Sequence, residues 1–181
     1  KSIYVDRTAP ELTTLALVPD DWTNSDQIAM NWTGASDACS GLDKIEYKID
    51  DDTYQTLLTV ADGETILDVS GLEDGSHTVS FKLTDLAGIS AEYTRTMLLD
   101  RTAPQVTMAQ ASPDSWSDTD ALTLVWQDAM DEHSGMQKIE YSFDDNPACF
   151  TLPLSVSAEE EIDVSAHLDG QHTLLLHLYD E

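Results

Sequence analysis

The segment Asp6-Arg7-Thr8-Ala9-Pro10 returns 94 positions later as Asp100-Arg101-Thr102-Ala103-Pro104. At the same offset, Lys44-Ile45-Glu46-Tyr47 returns unchanged as Lys138-Ile139-Glu140-Tyr141. Self-similarity at a fixed period is the signature of a repeated structural unit. These two segments therefore predict two tandem copies of one domain.

Other positions follow the same register. Matches at the offset of 94 are Trp22 with Trp116, Trp32 with Trp126, and Ser40-Gly41 with Ser134-Gly135. After one inserted residue the offset is 95, with matches of Asp68-Val69-Ser70 to Asp163-Val164-Ser165, His77 to His172, and Asp85 to Asp180. A unit of this length is close to the roughly 100 residues of an immunoglobulin-type sandwich.

The hydrophobic pattern inside a copy has a period of two. Ile28, Met30 and Trp32 alternate with polar or small residues, and so do Ile45 and Tyr47. Such alternation predicts strands with one face in a core and one in water. In the first copy we predict strands at 11–18, 27–33, 43–50, 53–60, 65–70, 77–84 and 91–99. The fold class is therefore all-β, with two tandem immunoglobulin-like β-sandwiches.

The phase of the repeat divides the chain into three parts. Residues 6–99 are predicted to form the first domain and residues 100–181 the second. In the first copy, the last strand occupies the residues between Asp85 and Asp100, whereas the chain ends one residue after Asp180. We therefore expect the second domain to lack its last strand, and we expect residues 1–5 to be the end of a preceding repeat's last strand.

The charge balance restricts the partners. Eight Lys and Arg face 35 Asp and Glu, which gives a formal net charge of −27. Such a surface repels nucleic acids and anionic lipids, and no apolar run is long enough for a membrane helix. Cys39 and Cys149 belong to no zinc-binding pattern, and each copy contains only one of them. We expect both cysteines to be free.

The motifs resemble one known family, the bacterial immunoglobulin-like (fibronectin-III-like) tandem repeats of large secreted or cell-surface, adhesin-type proteins. The resemblance rests on Asp6–Pro10, Trp22, Ser40–Tyr47, Leu72–His77 and Asp85–Gly88. It extends over essentially the whole chain. It implies an extracellular or cell-surface location and a sandwich fold. It leaves the role open, because such repeats serve as stalks, spacers, adhesin shafts or accessory domains of enzymes.

Carboxylates gather at one predicted pole of each domain, because the first strand's start, the loop between strands two and three, and the sixth strand's end share one end of such a sandwich. In the first domain these are Asp6, Asp37 and Asp85; in the second they are Asp100, Asp128, Asp131, Glu132 and Asp180. Six to eight oxygen ligands suit Ca²⁺, which could stiffen the junction between repeats. The alternative is that these Asp side chains accept hydrogen bonds from turn N–H groups.

Three other sets of residues have a candidate role. His77 and His172 follow Asp-Gly turns and have no catalytic partner motif, so we predict a side-chain hydrogen bond across the turn. The acidic segments 50–52 and 144–146 are interpreted as solvated turns. Trp22 and Trp116 lie among polar residues. They either cover the edge of the core or stack on sugar rings.

The sequence therefore predicts a structural or adhesive segment of a large extracellular protein, a shaft or spacer whose partners are adjacent repeats of the same chain. The alternative is an accessory module that binds carbohydrate or protein, with a host or surface glycan or protein as partner. No catalytic set is recognised, and we predict that the chain is not an enzyme. Ca²⁺ is the one cofactor that the residues suggest.

Overall fold

The structure, a computed structural model, describes residues 1–144 and 146–180. Their contacts divide the chain into two compact units, Lys1–Arg101 and Thr102–Glu181, which are called the first and the second unit below. The described residues form strands and no helix, in agreement with the period of two in the sequence. The described part of the chain accordingly has no helix that could cross a membrane.

The first unit is built from two antiparallel sheets. Its strands are β1 Thr14–Val18, β2 Gln27–Thr33, β3 Leu42–Ile49, β4 Gln55–Leu57, β5 Gly63–Asp68, β6 Gly75–Asp85 and β7 Ser90–Leu99. One sheet has the order β1-β2-β5 and the other β4-β3-β6-β7. The predicted first and fourth strands were too long, because Glu11 makes only an isolated bridge to Ser36 and the chain turns after Leu57.

A single hydrophobic core lies between these two sheets. Ile28, Met30 and Trp32 of β2 are all buried, as their alternation predicted. The Trp32 ring packs on Phe81 of β6, with ring centroids 5.3 Å apart. Because side chains of both sheets interleave in this core, the first unit is a β-sandwich.

The second unit repeats the arrangement. Its described strands are β8 Met108–Ser112, β9 Ala121–Gln127, β10 Met136–Phe143, β11 Phe150–Leu152, β12 Ala158–Asp163 and β13 Leu174–Asp180. They form antiparallel sheets of order β12-β9-β8 and β11-β10-β13. Trp126 occupies the place of Trp32: its indole N–H donates to the Ser155 carbonyl at 2.9 Å, as Trp32 donates to Val60 at 3.1 Å.

The segment before β1 has no regular structure. Residues 1–10 contain no strand, and Lys1–Val5 are exposed. The assignment of residues 1–5 to a preceding repeat, and the boundary at 99/100, stay predictions. This segment bears on function because Asp6 lies in it.

Candidate metal centre

The loop between β2 and β3 of the first unit is organised around one carboxylate. Asp37 Oδ1 accepts hydrogen bonds from the backbone N–H groups of Cys39 at 3.0 Å, Ser40 at 2.8 Å and Gly41 at 2.8 Å. Gly41 has a φ of 84°, in the left-handed region that glycine adopts without strain. The loop therefore closes on Asp37 Oδ1, and the orientation of this carboxylate is fixed.

The turn after β6 holds a second carboxylate in the same way. Asp85 Oδ1 accepts the N–H groups of Ala87 at 2.9 Å and Ile89 at 2.8 Å. Asp85 is only 1% exposed. A carboxylate at such a position is costly unless hydrogen bonds or a cation compensate its charge.

Asp6 supplies the third carboxylate from the segment before β1. Its Oδ1 accepts the Thr8 N–H and its Oδ2 accepts the Ser40 N–H, both at 2.9 Å. Hydrogen bonding to Ser40 and to the Thr8 amide lowers the pKa of Asp6. Asp6 therefore joins the loop that Asp37 organises.

The structure brings Asp6, Asp37 and Asp85 together in what we call the acidic cluster. Each offers an oxygen within 4.8 Å of the others. The Oδ2 atoms of Asp37 and Asp85 are buried and accept no hydrogen bond from any described residue. Hydrogen bonds from turn N–H groups thus satisfy the Oδ1 atom of Asp37 and of Asp85, but not the Oδ2 atom of either.

The composition of the acidic cluster fits a hard divalent cation. Ca²⁺ takes six to eight oxygen ligands from carboxylates, carbonyls and water. The unpaired oxygens of Asp37 and Asp85, with Asp6 beside them, would supply part of that shell. A cation would also offset the repulsion among three close negative charges.

The second unit repeats the loop of Asp37. Asp131 Oδ1 accepts the N–H groups of His133 and Gly135, both at 3.0 Å, and Asp131 Oδ2 is buried without a hydrogen bond to a described residue. Asp180, at the end of β13, offers an oxygen within 4.8 Å of one from Asp131. Two of the predicted ligands in this unit therefore lie together.

Two of the other predicted ligands of the second pole, Asp128 and Glu132, lie outside this group. Asp128 is exposed, and its Oδ2 accepts the Thr107 hydroxyl at 2.7 Å. Glu132 is exposed as well, and neither joins a group of close ligand atoms among the described residues. Asp100 is buried in the first unit, where its N–H donates to the Thr23 carbonyl at 3.0 Å. Its role at the second pole stays a prediction.

Cys39 lies in the loop that Asp37 organises, and its thiol is close enough to the acidic cluster to be affected by its charge. The negative charge of Asp6, together with burial and the charge of Asp37, raises the pKa of the Cys39 thiol. The thiols of Cys39 and Cys149 are free and exposed. Cys39 is therefore a natural reporter of charge in the acidic cluster, and Cys149 in the second unit is its control.

The predicted hydrogen bond of the two histidines is present in both units, and its acceptor lies in the acidic segments that we interpreted as solvated turns. His77 Nδ1 bonds Asp50 Oδ2 at 2.7 Å, and its Nε2 bonds the Glu73 carbonyl at 2.8 Å. His172 bonds Asp144 and the Leu168 carbonyl in the same way. Asp50 and Asp144 are exposed and lie in turns, as that interpretation expects, but each also bonds a histidine. Asp145 lies outside the described residues.

The contacts of His77 favour its protonated form. Both ring nitrogens face oxygen acceptors, so both donate only when the ring carries two protons. Burial by itself would lower the pKa of His77, but the bonds to Asp50 and Glu73 outweigh burial and the nearby Arg101, and the pKa is raised. Burial would raise the pKa of Asp50, but bonds from His77 and Thr78 hold it below its usual value.

These two shifts predict a pH window for stability. The Asp50 contribution is present above its ordinary pKa of 3.8 and is lost as the pH falls through the lowered value. The His77 contribution is present below its ordinary pKa of 6.5 and is lost as the pH rises through the raised value.

We expect His77→Gln to destabilise the protein by about 1 kcal/mol near pH 5.5 and by clearly less near pH 8.5. Urea unfolding at both values measures this, and an equal loss at both would contradict it.

The two tryptophans of uncertain role differ. Trp22 is half-buried, consistent with a residue at the edge of the core. Trp116, in contrast, is 88% exposed, in the segment between β8 and β9. Covering the core is therefore not the role of Trp116.

No protein-family model and no curated protein matches the chain. A solved structure from work on the promiscuous specificity of carbohydrate-binding modules from the β-sandwich superfamily is similar over 96% of this chain and 85% of its own, with 10% identity and a TM-score of 0.45. Likeness at this level bears on neither ligand nor function.

Proposed function

We propose that this chain is a structural or adhesive segment of a larger extracellular protein, a shaft or spacer of tandem immunoglobulin-like domains that binds Ca²⁺ at the acidic cluster. The observation that carries the proposal is the pair of buried, unpaired Oδ2 atoms of Asp37 and Asp85, close to Asp6. The proposal assigns no catalytic role to the chain. Its partners are adjacent repeats of the same chain.

The strand order of the first unit supports the immunoglobulin-like assignment. Seven antiparallel strands lie in sheets of order β1-β2-β5 and β4-β3-β6-β7. In the constant-type immunoglobulin order the fourth strand joins the first, second and fifth. Here β4 pairs with β3 instead, a variation on the same sandwich architecture.

The position of Asp6 supports a stiffening role for the cation. Asp6 belongs to residues 1–10, which contain no strand, whereas Asp37 lies on a loop of the folded sandwich and Asp85 is the last residue of β6. A cation held by all three would fasten the segment before β1 to the sandwich. Fixing a segment of this kind restricts the angle at which a repeat array enters the domain.

Calcium is expected to stabilise the first unit. Extracellular calcium modules have dissociation constants of about 10⁻⁴–10⁻³ M, so about 10 mM Ca²⁺ would raise the melting temperature by about 10 °C over a chelated sample. Differential scanning calorimetry measures this shift. A potassium salt of equal ionic strength controls for screening of the net charge of −27.

The variant Asp85→Asn separates the effect of cation binding from the effect of the hydrogen bonds that hold the turn. Asparagine keeps an oxygen that accepts the Ala87 and Ile89 N–H groups but removes the charge, so the shift with Ca²⁺ is expected to vanish. An independent measurement is alkylation of Cys39, which Ca²⁺ is expected to accelerate because a cation offsets the charge that raises the thiol pKa. Alkylation of Cys149 is expected not to change. Equal melting with Ca²⁺ and with chelator, or an equal shift in the variant, would overturn the proposal.

The exposure of Trp116 favours a second candidate, an accessory module that binds a host or surface glycan. An indole that is 88% exposed offers an apolar face for stacking on a sugar ring. A glycan array with wild type and Trp116→Ala tests this directly. Specific binding that the variant loses would support a binding module, and Trp22→Phe serves as the matched control.

A further inference from the structure

A second group of ligand-type side chains lies in the second unit, away from the carboxylates of its predicted pole. Asp144 follows β10, His167 lies in the loop after β12, and His172 precedes β13. Each offers one ligand atom within 4.8 Å of the other two. All three residues are exposed, so a dissolved metal ion has access to them.

Two of the three side chains are already oriented. Asp144 Oδ1 accepts the Thr173 N–H at 2.7 Å, while Asp144 Oδ2 bonds His172 Nδ1. His172 Nε2 bonds the Leu168 carbonyl at 2.7 Å. Metal-binding histidines typically donate their second ring N–H to a carbonyl or carboxylate, which fixes the ring. The Leu168 carbonyl fills this role if His172 binds a metal through Nδ1.

The turn at His167 does not require an imidazole side chain. Its N–H closes a turn to the Val164 carbonyl at 2.9 Å, and in the first unit Leu72 closes the same turn to Val69 at 3.0 Å. The His167 ring packs on Phe143 with centroids 4.4 Å apart and meets His172 edge-on at 5.1 Å. Neither ring nitrogen of His167 bonds another residue within the part of the chain that the structure describes.

We propose that Asp144, His167 and His172 bind a divalent first-row transition metal ion, with Zn²⁺ as the physiological choice. Two imidazoles and one carboxylate are the ligand types that Zn²⁺ takes in sites with three protein ligands, and water completes the four-coordinate shell. The ion replaces the proton between His172 Nδ1 and Asp144, and that proton passes to solvent. Imidazole nitrogen discriminates against Ca²⁺ and Mg²⁺, which take oxygen ligands.

This zinc site is independent of the calcium proposal. The acidic cluster lies in the first unit and contains only carboxylates, whereas the zinc site lies in the second unit and contains two imidazoles. The first unit has the His77–Asp50 pair but Leu72 in place of His167. The two repeats thus differ in the third ligand, and only the second unit carries the complete set.

Isothermal titration with ZnCl₂, in the presence of saturating Ca²⁺ to block the acidic cluster, tests the site. We expect wild type to bind one equivalent, and His167→Leu to weaken the affinity at least about tenfold. Leucine is the natural residue at this turn in the first unit, so the variant is expected to fold. His177→Gln is the control, because it removes an imidazole that bonds Ser142 at 2.9 Å outside the site.

Nuclear magnetic resonance of the imidazole rings gives a second readout. Zn²⁺ is expected to shift the ring resonances of His167 and His172 together and to leave those of His77 in place. A His167→Leu protein that binds Zn²⁺ as tightly as wild type would overturn the proposal. So would a shift confined to other histidines, or the absence of Zn²⁺ binding by wild type.

Discussion

Replacement of Asp37 by alanine is expected to destabilise the first unit by about 3 kcal/mol. Three backbone N–H groups converge on Asp37 Oδ1, those of Cys39, Ser40 and Gly41. Hydrogen bonds to a charged acceptor contribute about 1.5–3 kcal/mol each, and they do not add in full when the loop relaxes into water. Urea unfolding measures the loss, which is expected to be larger with Ca²⁺ because the variant also loses a ligand.

Asp37→Asn separates the two roles of this side chain. Its amide oxygen still accepts from the loop, so stability without Ca²⁺ is expected to stay near that of wild type, while the stabilisation by Ca²⁺ is lost. Asp131→Ala is the matched change in the second unit, where Asp131 organises the corresponding loop. If Asp37→Asn and Asp37→Ala lost equal stability without Ca²⁺, the hydrogen bonds to Oδ1 would not be the cause.

The acidic cluster could be located from sequence because its residues repeat in register. Asp6, Asp37 and Asp85 each have an acidic counterpart one unit later, and the ends of strands in a sandwich are close in space. The state of each oxygen could not be predicted, since it depends on which N–H groups the folded loop presents. Asp128 shows this: it is acidic and near the predicted pole, but it bonds Thr107 instead.

The contacts of the repeated Asp-Arg-Thr-Ala-Pro segment were also beyond the sequence. Arg101 donates to the Val69 carbonyl at 2.9 Å and to the Leu72 carbonyl at 3.3 Å, and it forms ion pairs with Asp26 and Asp74. The repeat marks this arginine as important, but its partners lie between 27 and 75 residues away in the sequence, on loops whose approach only the fold defines.

The residues of the core, by contrast, followed from alternation alone. Trp32 was predicted to face inward because it shares a face of its strand with Ile28 and Met30, and all three are buried. A period of two assigns each residue to one of two faces, and the apolar face is the one that leaves water. Local pattern is therefore sufficient for the core, although not for polar contacts between loops.

Trp32→Ala is expected to have the largest effect of any single change in the first unit, a loss of about 4 kcal/mol. The side chain is 3% exposed, packs on Phe81 and donates to the Val60 carbonyl at 3.1 Å. Alanine leaves a large cavity and an unpaired carbonyl. Urea unfolding measures the effect, with the indole N–H resonance of Trp22 as the reporter of the first unit. Trp32→Phe is a milder control.

The same experiment tests whether the two units are autonomous domains. If they are, Trp32→Ala lowers the unfolding midpoint of the first unit, while the indole resonance of Trp126 is lost at the wild-type urea concentration. Loss of that resonance together with the first unit would contradict tandem independent domains.

Gly63 provides a further check on the origin of the Trp32 effect. A Cβ on Gly63 would lie 2.2 Å from the Trp32 ring, so Gly63→Ala is expected to destabilise the wild-type protein by about 1–3 kcal/mol through overpacking. In the Trp32→Ala background that overlap is absent. Gly63→Ala is then expected to be close to neutral, because the two changes share one contact and are not additive. Additive losses would mean that the ring does not pack on Gly63 in solution.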